Sequence, residues 1–166
     1  MFDMEYARWL EEDNHHMSEL RAGLQARLLD GDLRVLVDEC LAHYDEVFRL
    51  KGMAAASDAF HLITGTWTTP AERCFLWIGG FRPSEMLKMF PCTSSSFCSV
   101  VLPEHVHIYC SVILCKLQAD NLRQQTLHQM RRILTIRQTA RCFLAIGEYY
   151  RRLRALSTLW ASRPRE

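Results

Sequence analysis

The chain has 166 residues, of which 49% are hydrophobic, 23% charged and 10% aromatic, and its formal net charge is +1. These proportions describe one globular domain large enough for a sizeable core, and they exclude an intrinsically disordered chain. Seven Gly and five Pro exclude collagen-like and low-complexity classes, and no run of about 18 uninterrupted apolar residues offers a membrane span. The opening stretch, MFDMEYARWLEED, is acidic and helical in pattern, unlike a signal peptide. The seven cysteines are therefore expected as reduced thiols rather than as a disulfide framework.

Residues 2–28 repeat Phe2, Tyr6, Trp9, Leu10, Met17, Leu20, Leu24 and Leu28 at helical spacing. An aromatic stripe that begins at the second residue points to a chain starting inside an element. Asp30-Gly31 reads as a turn, with Asp32 capping a second helix that carries Leu33, Leu36, Val37, Cys40, Leu41, Tyr44, Val47 and Phe48 and ends near Gly52. A short third segment, from Met53 to Ile63, stops at Gly65. The clearest local signal is Thr69-Pro70-Ala71-Glu72. Thr69 at the N-cap with Glu72 at N3 predicts a capping box, and Pro70 sits where its missing N–H costs nothing. The helix AERCFLWI that follows is apolar almost all round, halts at Gly79-Gly80, and is expected to be central and buried. Pro83 opens one more short helix, SEMLKMF, and Pro91 ends it.

The helical pattern returns at Ala119, with Leu122, Leu127, Met130, Ile133 and Leu134 along one face. Thr135 with Gln138 predicts a second capping box. It opens a last helix with Phe143, Leu144, Ile146, Tyr150, Leu153, Leu156, Leu159 and Trp160, closed by Pro164. The expected fold is all-α, a bundle of about six to seven helices.

Residues 91–116 differ in kind, and 92–116 hold four cysteines, two charged residues and a dense β-branched run. One reading is a weak β-hairpin, with Val100-Val101 and Val106–Ile108 as strands around Pro103-Glu104. A second is a metal site drawn from Cys92, Cys98, His105, His107, Cys110 and Cys115. Zinc knuckles place paired ligands two to four residues apart, and this spacing does not fit, so no metal and no cofactor is expected. The third, which we favour, starts from the codons. Phe, Ser, Cys, Val, Leu, Ile and Tyr share uridine-rich codons, so the segment reads as a translated pyrimidine-rich tract such as a retained intron.

The charge is unevenly spread. Residues 1–90 hold nine basic and fifteen acidic residues, whereas residues 117–166 hold ten arginines and three acids. Charge pairing within one fold is the favoured explanation; a basic face for an acidic partner is the sharper one. No P-loop, dinucleotide-binding glycine fingerprint, HExxH or GxSxG occurs. His15 and His16 diverge by about 100° on a helix and cannot chelate together. His43 beside Asp45 and Glu46, and His61 near Asp58, read as surface pairs, while Cys40, Cys74 and Cys142 read as small core residues. No catalytic constellation emerges, so an enzyme is not expected. The last helix sets Arg141, Arg151, Arg152 and Arg154 beside Trp160. The favoured reading is a core helix whose arginines are its solvated side; the sharper ones are a site for an acidic partner or, alternatively, a signalling adaptor that binds calmodulin.

The segments FDMEYARWLEEDNHHMSELR, AHYDEVFRLKG, TWTTPAERCFLWIGGFRPSEMLK, QADNLRQQTLHQMRRILTIRQTAR and YYRRLRALSTLWASRPRE resemble the C-terminal region of plant TGA-type bZIP transcription factors, the delay-of-germination (DOG) domain. The resemblance covers residues 2–89 and 117–166. It implies transcriptional regulation in the plant nucleus, in defence or stress responses or in floral development. Family members bind TGACG-type promoter elements through an N-terminal bZIP region, which precedes FDMEYARW and has no counterpart in this sequence. Their DOG domain is an all-helical regulatory module that supports homo- or heterodimers and contacts NPR-type ankyrin-repeat coactivators and plant glutaredoxins. The family carries a longer stretch between MLK and QADNLRQQ, which residues 90–116 replace here. The expected organisation is thus a single incomplete DOG domain over 1–166, with N-terminal helices in 1–90, an atypical insert at 91–116 and C-terminal helices in 117–166.

Overall fold

The computed structural model describes residues 1–77 and 104–162. They form six helices: α1 (Phe2–Gln25), α2 (Asp30–Ser57), α3 (Ala59–Thr64), α4 (Pro70–Trp77), α5 (Glu104–Ile133) and α6 (Ile136–Ala161). No strand occurs among the described residues, and the all-α class holds. Gly79-Gly80, the short helix expected after Pro83, and Cys92 and Cys98 lie outside them.

Two expected boundaries are corrected. The turn between the first helices comes before Asp30-Gly31, which belong to the first turn of α2. Leu29 occupies the N-cap position, and Asp32, already inside the helix, is not the cap. The turn is built instead from the end of α1. Arg27 adopts the left-handed conformation at φ +52°, Arg27 N–H donates to the Leu24 carbonyl at 3.3 Å, and Leu28 N–H donates to the Gly23 carbonyl at 3.1 Å. This is a Schellman closure with an arginine where glycine is usual, a strain of about 1 kcal/mol. Likewise α2 does not end near Gly52. It continues to Ser57, because burial of Val47, Leu50 and Ala54 on its inner side outweighs the weak helix propensity of one glycine. The expected third segment from Met53 is therefore split between α2 and α3, whose cap is Asp58 accepting from His61 N–H at 3.0 Å. Gly65 ends α3 at φ +65°, a backbone conformation open to glycine at little cost.

The strand expected at Val106–Ile108 is also corrected, because those residues lie in α5. A continuous apolar run cannot by itself separate strand from buried helix. Here Pro103 stands directly before Glu104, and no Gly or Pro interrupts residues 104–133, so helix propagation is unopposed.

Both capping boxes form. Thr69 N–H donates to Glu72 Oε2 at 3.1 Å and Glu72 N–H to Thr69 Oγ1 at 3.4 Å. Thr135 N–H donates to Gln138 Oε1 at 3.0 Å and Gln138 N–H to Thr135 Oγ1 at 3.3 Å. Thr135→Ala is expected to cost about 1 kcal/mol, read as a lower urea midpoint with an unchanged slope.

Helix α2 lies at the centre, in contact with α1, α3, α5 and α6, while α4 packs on α6. The core runs through Trp9, Leu20, Leu33, Val37, Cys40, Tyr44, Ala140 and Phe143. Gly147 lets α6 approach α1, since a Cβ there would stand 2.9 Å from Met17 Sδ. The uneven charge is met inside the fold. Asp30, Asp38 and Asp45 along α2 face Arg137, Arg131 and His128 at 3.0, 2.7 and 3.0 Å. Each exposed pair contributes little energy, but together they bring the acidic half against the basic half.

Candidate functional site

The four arginines expected to meet a partner do not share one environment. Arg141, Arg151, Arg152 and Trp160 are exposed on α6. Arg151 and Arg152 both donate to Glu148, and these two hydrogen bonds hold its carboxyl below the usual range. Two cations thus share one carboxylate, which leaves this side of α6 positive. Arg154 turns inward instead. Its Nη1 lies 3.0 Å from Glu72 Oε1, while Glu72 Oε2 serves the capping box of α4. Glu72 is only 4% exposed, so the Arg154 charge is consumed in balancing it. The apolar face of α6 is committed at Phe143 and Leu153, which are buried, whereas Leu156, Leu159 and Trp160 nearer its C-terminus are exposed. Calmodulin could wrap this helix only after its extraction from the core.

A second concentration of chemistry is internal. A pocket of about 70 Å3 is lined by Tyr6, Trp9 and Asp13 of α1, Tyr44, Val47, Phe48 and Lys51 of α2, Trp67, Thr68 and Glu72 around α4, and Arg123, Tyr150 and Arg154 of α5 and α6. Its aromatic wall is interlocked: Tyr6 meets Trp67 edge-on at 4.7 Å between centroids, and Trp9 meets Tyr44 edge-on at 5.6 Å. Burial pushes the hydroxyls of Tyr6, Tyr44 and Tyr150 well up from their ordinary range, so all three stay protonated.

The cations of the pocket are paired. Lys51 Nζ stands 3.3 Å from Asp120 Oδ1, and Arg123 Nη1 donates to the same oxygen at 2.8 Å. Lys51 Nζ also lies 5.7 Å from the ring centroids of Phe48 and Trp67. Burial pulls its pKa down, with Asp120 opposing. Asp13 is different. It is 4% exposed, its Oδ1 has no hydrogen-bond partner among the described residues, and burial pushes its pKa up against the pull of Arg154 and His16.

His43 is a correction to the expected surface pair with Asp45 and Glu46. It is buried, stacked on Trp9 at 4.7 Å between centroids, and the two side chains clasp each other's backbones. Trp9 Nε1–H donates to the His43 carbonyl at 2.7 Å, and His43 Nε2 donates to the Trp9 carbonyl at 3.0 Å. Burial, reinforced by His16, lowers the His43 pKa from 6.5; the bond to Trp9, Glu12 and Glu46 act the other way. The folded ring therefore takes a proton less readily than the unfolded chain does. Its contribution to stability is complete above pH 6.5 and is lost as the pH falls below that value. We expect the loss of urea stability between about pH 7.5 and 5.5 to be smaller in His43→Gln than in the parent. An unchanged slope would assign it to other groups.

His61 does form a surface pair, but with Asp3 of α1, at 2.6 Å from Nε2. Cys40 is a core thiol, with burial pushing it up to about 12, and is unreactive on that account. Cys142 is half-buried, while the Cys74 side chain lies outside the described residues. So do the side chains of His105, His107, Cys110 and Cys115, although their backbone belongs to α5. His16, Glu19 and Glu39 bring ligand atoms within 4.8 Å of one another, but they are open to solvent and nothing further marks them as a metal site.

The sequence reading missed the pocket, yet a signal for it exists. Asp13 falls between Trp9 and Met17 on the apolar stripe of α1, and Lys51 follows Tyr44 and Val47 on that of α2. An ionisable residue at an inward helical position needs a partner or a purpose.

Comparison with known proteins finds sequences similar to this chain. Residues 16–90 match the family model described as seed dormancy control, DOG1. The whole chain aligns at 50% identity with transcription factor LG2 of Zea mays, covering 41% of that protein. It aligns at 50% identity with transcription factor TGA9 of Arabidopsis thaliana, covering 44% of it. Over 99% of its length it is 46% identical to transcription factor TGA2.2 of Oryza sativa, covering 65% of it. The chain thus spans less than half of the first two relatives. The alignment with LG2 extends over 217 positions against 166 residues here, so at least 51 positions have no counterpart in this chain. The chain is thus similar along its length to part of the plant TGA transcription factors and matches the seed dormancy control (DOG1) family model over residues 16–90.

Proposed function

We propose that this chain regulates transcription through protein contacts, as a non-enzymatic module that associates with TGA-type bZIP factors in the nucleus. Promoter DNA is reached through a bZIP region. NPR-type ankyrin-repeat coactivators and plant glutaredoxins are the further partners proposed. The observation that carries the reading is similarity along the whole of this chain to part of named transcription factors, combined with a helical bundle whose α6 presents Arg151 and Arg152 against a single carboxylate.

The test is co-purification of the chain with full-length TGA factors, in parent form and as Arg151→Glu/Arg152→Glu. We expect association with at least one factor, weakened by about tenfold or more in the variant, with the melting temperature unchanged. No association with any family member would refute the reading. Association that ignores the charge reversal would move the contact off α6. Calcium-dependent retention of a peptide spanning 139–163 on calmodulin would favour the adaptor reading, but in the fold Phe143 and Leu153 of α6 are already buried in the core.

A further inference from the structure

The arginines of this chain are not all engaged by its acids. Arg27, Arg34, Arg132 and Arg141 are exposed and make no ion pair or side-chain hydrogen bond among the described residues, whereas every other described arginine does. All four lie at one end of the bundle. Arg27 is in the α1–α2 turn, Arg34 in the second turn of α2, Arg132 in the last turn of α5 and Arg141 in the second turn of α6. Arg137 and Arg131 stitch that end together. Arg137 donates to the Leu28 carbonyl at 2.7 Å and pairs with Asp30 at 3.0 Å, and Arg131 pairs with Asp38 at 2.7 Å. Asp30 and Asp38 are thereby taken, while Asp32, exposed among the four, pairs with none of them. The same two turns carry Leu29 and Ile133, which are 75% and 79% exposed. Arg27 stands at φ +52°, where glycine would be easier, so the turn holds a charge at its tip at a cost in strain.

We propose that this end of the bundle docks an acidic, aliphatic segment of a partner protein, its carboxylates meeting the four unpaired arginines and its aliphatic side chains covering Leu29 and Ile133. Guanidinium forks match carboxylates two bonds at a time, and such pairs gain strength where apolar contact beside them excludes water. A nucleic-acid backbone would satisfy the arginines but leave Leu29 and Ile133 against phosphate. An anionic bilayer is disfavoured by Asp32 and by the lack of any Trp, Tyr or Phe in residues 26–35 and 131–141. The surface is separate from the one proposed around Arg151 and Arg152. Arg141 and Arg151 stand roughly 15 Å apart along α6, so the two patches can be changed independently.

The experiment titrates the full chain into a dye-labelled peptide of Glu and Leu in amphipathic helical order, read by anisotropy. The same peptide with Gln for Glu or with Ser for Leu, a DNA duplex of mixed sequence and vesicles containing phosphatidylserine are the comparison probes. Saturable binding of the Glu/Leu peptide is expected, with binding about tenfold or more weaker for each of the other two peptides. Arg27→Glu/Arg132→Glu and Leu29→Ser/Ile133→Ser are each expected to weaken it by about tenfold or more. Their melting temperatures should stay at the parent value, because all four side chains are exposed and Ser caps α2 better than Leu29 does. Arg151→Glu/Arg152→Glu is expected to bind the peptide as the parent does, which separates this surface from the one proposed on α6. Equal loss in that variant would show a general response to positive charge, and saturation by vesicles or duplex at lower concentration would show a lipid or nucleic-acid surface. Either overturns the proposal, as do no saturable binding of the Glu/Leu peptide, equal binding of the Gln or Ser forms, and undiminished binding in either end variant. Should one end variant not fold, the other and the ranking of the probes on the parent chain decide.

Discussion

Phe143→Ala is expected to lower the unfolding free energy by about 3–5 kcal/mol. The ring is 1% exposed and lies 5.7 Å from Tyr44 between centroids, where α6 meets α2. Its removal forfeits the transfer energy of the side chain and leaves a cavity. Leu33, Val37 and Ala140, each fully buried, are held on helix backbones and cannot collapse into it. Domains of this size are stable by only about 5–15 kcal/mol, so the variant should lose a third of its stability or more. Urea denaturation checks this: a fall in midpoint at constant slope is expected, and a loss below about 1 kcal/mol would show that the α2–α6 junction is not part of the core.

Arg154→Ala is expected to cost about 3 kcal/mol, although it removes only one surface-reaching cation. The reason is what stays behind. Glu72 is 4% exposed, and without Arg154 its charge is left buried and uncompensated. Glu72→Gln should cost only about 1 kcal/mol, because the amide carbonyl still accepts from the Thr69 N–H and hydroxyl and so keeps the capping box. The double variant Glu72→Gln/Arg154→Ala should then be more stable than Arg154→Ala alone. That reversal is the diagnostic result of a double-mutant cycle. If the two losses simply add, the pair contributes nothing beyond its separate side chains. By contrast, Arg151 and Arg152 share an exposed partner, and their truncation should scarcely change stability. Four arginines that look alike on one helix are thus divided by burial into one that holds the fold and others free to meet a partner.

The pocket and the α6 surface pose separate functional questions. Arg154 lies at the border, lining the pocket on one side and closing α4 onto α6 through Glu72 on the other.

Local chemistry settled much of this protein without reference to the rest of the chain. Both capping boxes, at Thr69/Glu72 and Thr135/Gln138, involve groups three residues apart, and the stop at Gly65 needs only its own φ. The helical stripes of α1, α2 and α6 were likewise legible, because period and burial coincide along one element. Where local signals were ambiguous, tertiary burial decided. Helix α2 runs through Gly52 because its inner face continues into the core. His43 beside two acids reads as a surface pair in sequence, but its position on α2 carries it onto Trp9, more than thirty residues away. The same holds for Asp13, Lys51 and Arg154. What sequence by itself determined here was the helical class, the caps and the family; which charges are buried, and which of them stand unpaired, was decided only by packing, because desolvation depends on neighbours that are remote in the chain.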